Sequence, residues 1–279
     1  MYSMTQRLDL AKDLISKKDK LKKTVELLYT IPRSIMGKGY RDSLELLQKK
    51  YDVPFEWKYV KSGAQVLDWI VPQEWKIKDA YIVDPKGKKF ACFSENNLHV
   101  VNYSLPINKT VSLSELKKNL FTIPQLPDHI PYITSYYKRT WGFCISQKKF
   151  DSLEDGEYRV FIDSEHINGN LVYGEAVLPG ATNKEILLTS YLCHPQMANH
   201  ELGGPIALCN LYQMLKASGP HKFTYRFLIC PENIGSAAFL HNSGDDVSEV
   251  IEAGFILNCL AYGEEWNLKK SRKFNSYSK

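Results

Sequence analysis

The chain reads as an α/β protein in which a β-rich stretch interrupts an alternating core, and two observations predict this. In the carboxy-terminal half, short apolar runs at 186–192, 223–230 and 253–260 each lead into a polar loop, and helical patterns follow the first two at 205–215 and 237–241. Runs of that length are buried strands rather than helices. Strand–helix alternation implies right-handed crossovers between largely parallel neighbours. In the middle of the chain, residues 62–155 have a different texture. Brief β-like runs there are broken at Pro72, at Asp84-Pro85-Lys86-Gly87 and at Asn96-Asn97, the spacing of a compact β module.

A chain of 279 residues buries a large core, as one big domain or as a domain carrying an insert. It has no run of eighteen apolar residues and hence no predicted membrane span. The first residues, MYSMTQRLDLAKD, lack the basic-then-apolar plan of a signal peptide. Six cysteines without a CxxC pair read as reduced thiols rather than a disulfide framework. A cytoplasmic location is therefore expected. The net charge of +5 is mild, and much of it lies in SKKDKLKK near the amino end, which reads as a solvated helix face. Neither a nucleic-acid nor a membrane partner is expected.

Taken in order, Leu8, Ala11, Leu14, Leu21, Val25 and Leu28 keep helical spacing over 5–29, and Ile31-Pro32 ends that helix. A loop with Gly37 and Gly39 leads to a second helix over 42–50, using Leu44, Leu46 and Leu47; residues 55–60 alternate like a strand. Within the β-rich stretch, 112–120 predicts one short helix, capped by Ser112 with Glu115 three residues on. PYITSYYKRTWGFCIS, at 131–146, is dense in aromatics and predicts packing between two modules. Residues 157–162 and 171–177 predict a hairpin that turns near Asn168-Gly169-Asn170.

The chemistry gathers after the strands. In ILLTSYLCHPQMANHELGGP (186–205), His194 comes as the apolar run ends, Glu201 follows seven residues later, and Gly203-Gly204 opens the helix. Ligands of open α/β sheets sit outside the carboxyl ends of the strands. If the three strands are neighbours, the first brings His194 and Glu201 to one lip, the second Glu232, and the third Glu264 and Glu265. Imidazole with carboxylates suits zinc, whose catalytic sites keep a position open for water. A further carboxylate can take a proton from that water, and Glu232, placed before a helix start, is the candidate base. Residue types alone leave other roles open, since a His after a strand also serves as a cap or core group and an acid before a helix as a cap. Cys193 beside His194 is a third reading, as a nucleophile. Alternation along a strand would point those two apart.

CHPQMANHELGGP resembles the CHP…NELSGP signature of a bacterial family of zinc-aminopeptidase-like proteins found among surface-polysaccharide biosynthesis genes, and YRFLICPENIGS resembles its YRF…PETIGS. The likeness extends through LDWIVPQEWKIKDAYI, NNLHVVNYS, IPYITSYYKRTWGFC and YGEAVLPG. It implies a three-layer α/β/α aminopeptidase-like core (1–61 and 156–279) with an inserted β-rich domain (62–155). It further implies zinc-dependent hydrolysis of an amide or peptide bond in a small substrate. His194 takes the place of the first zinc ligand, and Glu201 lies within one residue of the bridging carboxylate. Glu232 takes the place of the general base, while Asn233 replaces a second Glu that would bind metal. The chain departs from the signature at Gln196, His200 and Gly203, where the family carries Ser, Asn and Ser. It also stops at KKSRKFNSYSK, before the late His ligand and winged-helix-like domain that the resemblance implies, so a carboxy-terminally truncated member is expected. The alternative function is a non-catalytic binding or scaffold protein that retains the fold.

The last predicted strand, 253–260, carries Phe255, Ile256 and Leu257 in succession. As an uncovered sheet edge it would pair with another chain. Sedimentation velocity is expected to show self-association of the 279-residue chain; a stable monomer with a cooperative melt would mean that the edge is covered.

Overall fold

The computed structural model describes residues 18–244, 247–263 and 265–269. Leu8, Ala11 and Leu14 of the first expected helix, and Glu264, lie outside the described residues. The main elements in chain order are α1 (Lys18–Tyr29), α2 (Lys38–Tyr51), β1 (Glu56–Lys61), β2 (Glu74–Val83), β3 (Ile107–Ser112), β4 (Glu157–Ile167), β5 (Asn170–Leu178), β6 (Glu185–Tyr191), α3 (Gly203–Ala217), β7 (Thr224–Cys230), α4 (Ile234–Ser243) and β8 (Ile251–Ile256).

A five-stranded sheet runs β1-β5-β7-β6-β8. β6 lies parallel to both β7 and β8, while β5 is antiparallel to β7 and to β1. The second half of β7 shows why its sequence is apolar: Phe227 and Ile229 join one buried cluster, and Leu228 and Cys230 the other. A strand covered on both faces has no polar side to show. On one face lie Leu28 of α1, Leu44 and Leu47 of α2, and Ile206 and Cys209 of α3. On the other, Leu171, Tyr173, Leu228 and Cys230 meet Ala238 and Phe239 of α4 and the buried side chains of a second sheet.

That second sheet is four-stranded, with β2 and β4 at its centre, β3 beside β4, and the two-residue strand Lys89–Phe90 beside β2. β4 pairs antiparallel with β2 over nearly its whole length. The expected hairpin between 157–162 and 171–177 is therefore absent: β4 belongs to the second sheet and β5 to the first. Alternation in β4 does place Tyr158, Val160 and Ile162 in the core, but a period of two names the buried face and not the partner strand. Asn168-Gly169-Asn170 is the crossing between sheets. The second sheet thus takes a strand that lies beyond residue 155.

The helix expected at 112–120 is a single turn and a half, Leu113–Lys117, with Ser112 Oγ accepting the Glu115 N–H at 3.3 Å. Glu115 turns its carboxylate to Lys109 instead of closing the capping box. The six cysteines are all free. No helix among the described residues is long and apolar enough to cross a membrane. β8 pairs only with β6 among the described residues, and Ile256 on it is 67% exposed.

The crossing is pinned by one partly buried ion pair. Glu74, at the start of β2, accepts from Arg41 of α2 at 2.6 and 3.1 Å and from the Asn170 N–H at 2.9 Å. Gly169 is required beside it, because a Cβ there would fall 2.3 Å from the Glu74 carboxyl carbon. Burial pushes the Glu74 carboxyl up, but the Arg41 guanidinium and the Asn170 N–H outweigh it, leaving the group below its ordinary value of 4.5. A depressed folded pKa gives stability that is present above the unfolded value and lost as pH falls through the folded one. Glu74→Gln is expected to cost about 2 kcal/mol at pH 7. Urea titrations should show the gap to the parent chain narrowing as the pH falls below 4.5. A gap that does not change with pH would remove Glu74 as the source.

Candidate metal centre at the ends of two parallel strands

β6 and β7 finish level, Tyr191 opposite Cys230, so the residues that follow them are neighbours. Leu192 still donates to the Cys230 carbonyl at 3.2 Å; beyond it the β6 side delivers Cys193 and His194, and the β7 side Pro231 and Glu232. The chain then folds back through Gln196, in the left-handed region at φ 52°, into a π turn at Ala198–Leu202 that feeds α3. Such wide turns recur at functional sites. The glycine pair lets the helix descend onto the sheet: a Cβ on Gly204 would lie 2.1 Å from the Leu257 carbonyl oxygen and 2.3 Å from Ser190 Oγ.

Glu201 is fully buried. Its Oε2 accepts the N–H groups of Cys193 (2.5 Å) and His194 (3.0 Å), while Oε1 faces His200 Nδ1 at 2.8 Å and His194 Nε2 at 3.8 Å. His194 Nε2 lies 2.9 Å from Glu232 Oε2. On the other side of the ring, Nδ1 is 3.0 Å from the Tyr132 hydroxyl, which is 2.8 Å from the Tyr136 hydroxyl. Burial drives both phenols far above their ordinary range, so both remain protonated. The His194 carbonyl accepts from Arg33 Nε (3.3 Å) and a terminal guanidinium nitrogen (3.1 Å), and Arg33 also donates to the Leu28 carbonyl. Burial lowers the Arg33 guanidinium to about 10, with Glu201 acting against it, so at neutral pH it is a cation.

His194, Glu201 and Glu232 are thus brought together as expected. Glu232 precedes α4, as expected. It sits two residues ahead, in a γ-turn in which Ile234 N–H donates to the Glu232 carbonyl at 2.6 Å across Asn233 (φ 57°, ψ −61°). That conformation is strained for a residue with a Cβ. Glu265 is exposed and stands outside the cluster.

Four groups escaped the sequence reading. His200 registered only as a departure from a signature, since nothing in the sequence announces a π turn. Tyr132 and Tyr136 lie in the aromatic stretch expected to pack between modules. It does pack, Tyr136 meeting Tyr103 edge-on at 5.0 Å, and the same stretch reaches His194. Arg33 had no signal in an ordinary Ile-Pro-Arg-Ser link. Cys193 and His194 do touch, Sγ to Nδ1 being 3.8 Å, because β6 ends at Tyr191 and alternation no longer applies. Burial pushes the Cys193 thiol well up, which keeps it protonated and unsuited to nucleophilic attack.

Of the two carboxylates in the cluster, Glu201 has the Arg33 guanidinium as a charged neighbour, while Glu232 meets only His194 Nε2, so a cation between them would be matched by negative charge. The ligand atoms of His200, Glu201 and Glu232 lie within 4.8 Å of one another, as do those of Cys193, His194 and Glu201. Zinc with bonds near 2.1 Å in a tetrahedron sets its ligand atoms about 3.4 Å apart. The separations of 2.8, 2.9 and 3.8 Å bracket that figure. Nitrogen and carboxylate oxygen donors at these spacings fit zinc.

The family described as "Domain of unknown function (DUF4910)" matches residues 22–278. The chain belongs to the DUF4910 family. A Clostridium acetobutylicum protein provisionally named for polysaccharide biosynthesis and an aminopeptidase-like domain is 45% identical to this DUF4910 chain over 248 residues, covering 89% of it and 56% of the relative. The crystal structure of a C. acetobutylicum protein provisionally named a peptidase superposes with TM-score 0.86 at 43% identity, over 92% of this chain and 60% of the other. The DUF4910 chain therefore spans less than two thirds of the length of these relatives. A zinc aminopeptidase from Bacillus subtilis shares the fold at TM-score 0.55 and 10% identity, over 86% of this chain and 69% of that one. A Shewanella amazonensis peptidase M28 precursor does so at 0.54 and 11%, over 88% and 72%. The α/β fold is that of the zinc aminopeptidases.

Native-state alkylation tests the placement of the thiols. Iodoacetamide at pH 8 is expected to label the exposed Cys259 and to spare Cys193 until the protein is denatured. Rapid native labelling of Cys193, read by peptide mass spectrometry, would reopen the nucleophile reading.

Proposed function

We propose that this DUF4910 chain is a zinc-dependent hydrolase that cleaves an amide or peptide bond in a small substrate. The observation that carries this is the convergence of His194, Glu201 and Glu232 at the ends of two parallel strands. His194 Nε2 and Glu201 Oε1 would hold the metal. Bound there, zinc supplies Lewis-acid chemistry, acidifying a water molecule and polarising a carbonyl. The rest falls to the chain itself. With Nδ1–H donating to Tyr132, the Nε2 lone pair of His194 faces both carboxylates. Glu201 keeps Oε1 free for this because Oε2 is committed to two N–H groups. Glu232, whose side chain is 31% exposed, stands on the solvent side, accepts the proton from water, and returns it to the departing amine.

The name of the C. acetobutylicum relative supports a substrate from polysaccharide synthesis, such as an N-acyl or aminoacyl group on a glycan precursor. The second sheet, left behind β1 and quitted at the Asn168-Gly169-Asn170 crossing, is read as an inserted domain over 62–167.

One feature favours the alternative, a binding or scaffold protein. His194 and Glu232 already satisfy each other at 2.9 Å, so the cluster is stable as a purely structural network. Metal analysis of the purified chain separates the two. Stoichiometric zinc is expected, lost in His194→Ala. Glu232→Gln should keep the zinc and lose about 10²–10⁴-fold in turnover on a panel of aminoacyl and N-acyl amides. A wild-type chain that takes up no zinc and hydrolyses none of the panel would leave the scaffold reading.

A further inference from the structure

We infer that His200 is a metal ligand of this chain, binding through Nδ1 beside Glu201 Oε1, an inference that rests on the zinc reading above. His200 sits within the π turn at Ala198–Leu202, whose widened path lets the successive residues His200 and Glu201 present their side chains to the same space. Its Nδ1 is 2.8 Å from Glu201 Oε1, and its ligand atom lies within 4.8 Å of those of Glu201 and Glu232. The ring is held from both sides. It stacks on His194 with 5.7 Å between centroids and 16° between planes, and it tilts against Tyr191 at 5.1 Å.

The partners of Glu201 show what this placement is for. Its Oε2 is used up by the Cys193 and His194 N–H groups. The Arg33 guanidinium spends its donors on the Leu28 and His194 carbonyls. Oε1 is left between two imidazoles, His200 at 2.8 Å and His194 at 3.8 Å. Among the described residues, Glu201 is the hydrogen-bond partner of the His200 ring. A buried carboxylate oxygen flanked by two imidazole nitrogens is a donor set for a borderline cation. With His194 on the same oxygen, His200 would complete a set of two imidazoles and one carboxylate, of the kind that catalytic zinc uses, with Glu232 remaining as the base.

The test uses the full chain, stripped of metal and titrated with zinc against a chromophoric chelator, and separately loaded with cobalt(II) for its visible absorption. His200→Asn is expected to bind zinc more than about tenfold more weakly and to change the cobalt band positions and intensities. His194→Ala should lose metal altogether. Matching circular dichroism of the metal-free proteins establishes that the variants are folded; if His200→Asn melts early, His200→Gln takes its place. Unchanged affinity in the His200 variant overturns the inference while leaving the zinc reading intact. So does weaker binding with an unchanged cobalt spectrum, which assigns His200 to positioning rather than ligation. A wild-type chain that takes up neither zinc nor cobalt overturns both.

Discussion

Everything at this site depends on the Glu201 carboxylate being buried and answered. An ionised carboxylate moved out of water costs several kcal/mol unless its lone pairs are met. Here two successive N–H groups, those of Cys193 and His194, meet one oxygen, and imidazole nitrogens face the other. Arg33 supplies a nearby positive charge and takes the His194 carbonyl. The main chain at His194 is therefore gripped on both sides, its N–H by an anion and its C=O by a cation. That grip joins the segment after β6, the turn before α3 and the link after α1. Removing either charge would strand the other in the interior.

The site is also where the two sheets meet. His194 hangs from the first sheet, while the phenol on its Nδ1 comes from the segment between β3 and β4. From Tyr132 a chain of contacts runs through Tyr136 and Tyr103 to Trp75 on β2. Asn102 adds a second tie, accepting from Ser34 and donating to the Arg33 carbonyl. One hydrophobic cluster is continuous from β4 to α4. Residues that look like the packing of a separate module thus orient a ring in the metal cluster, and a change in their stacking would reach the chemistry without touching it.

The shared fold explains why so few residues need agree with the distant aminopeptidases. Parallel strands bring their ends to one edge whatever their side chains, so the backbone sets where a cluster forms and the loops set what it contains. Two residues with positive φ, Gln196 and Asn233, flank the candidate ligands and the candidate base. Positive-φ residues with a Cβ persist only where surrounding contacts determine them.

Local pattern determined much of this protein. The apolar runs of β6 and β7, the helices α2, α3 and α4, and the Ser112 cap follow from burial periodicity and hydrogen-bonding residues that act within a few positions of themselves. So do the candidates His194, Glu201 and Glu232, because a polar residue just past a buried strand has one edge to go to. What needs knowledge of partners distant in the chain was decided only by the tertiary structure. Alternation could not say that β4 pairs with β2 instead of β5, since a strand's period is the same in either sheet. Nor could spacing place Tyr132 on His194, 62 positions away, or bury Arg33 against the His194 carbonyl, 161 positions away. Nor could it foresee the π turn that holds His200 beside Glu201, or the close fit of Gly204 against the Leu257 carbonyl and Ser190, since a steric fit between surfaces is contained in no single stretch of sequence.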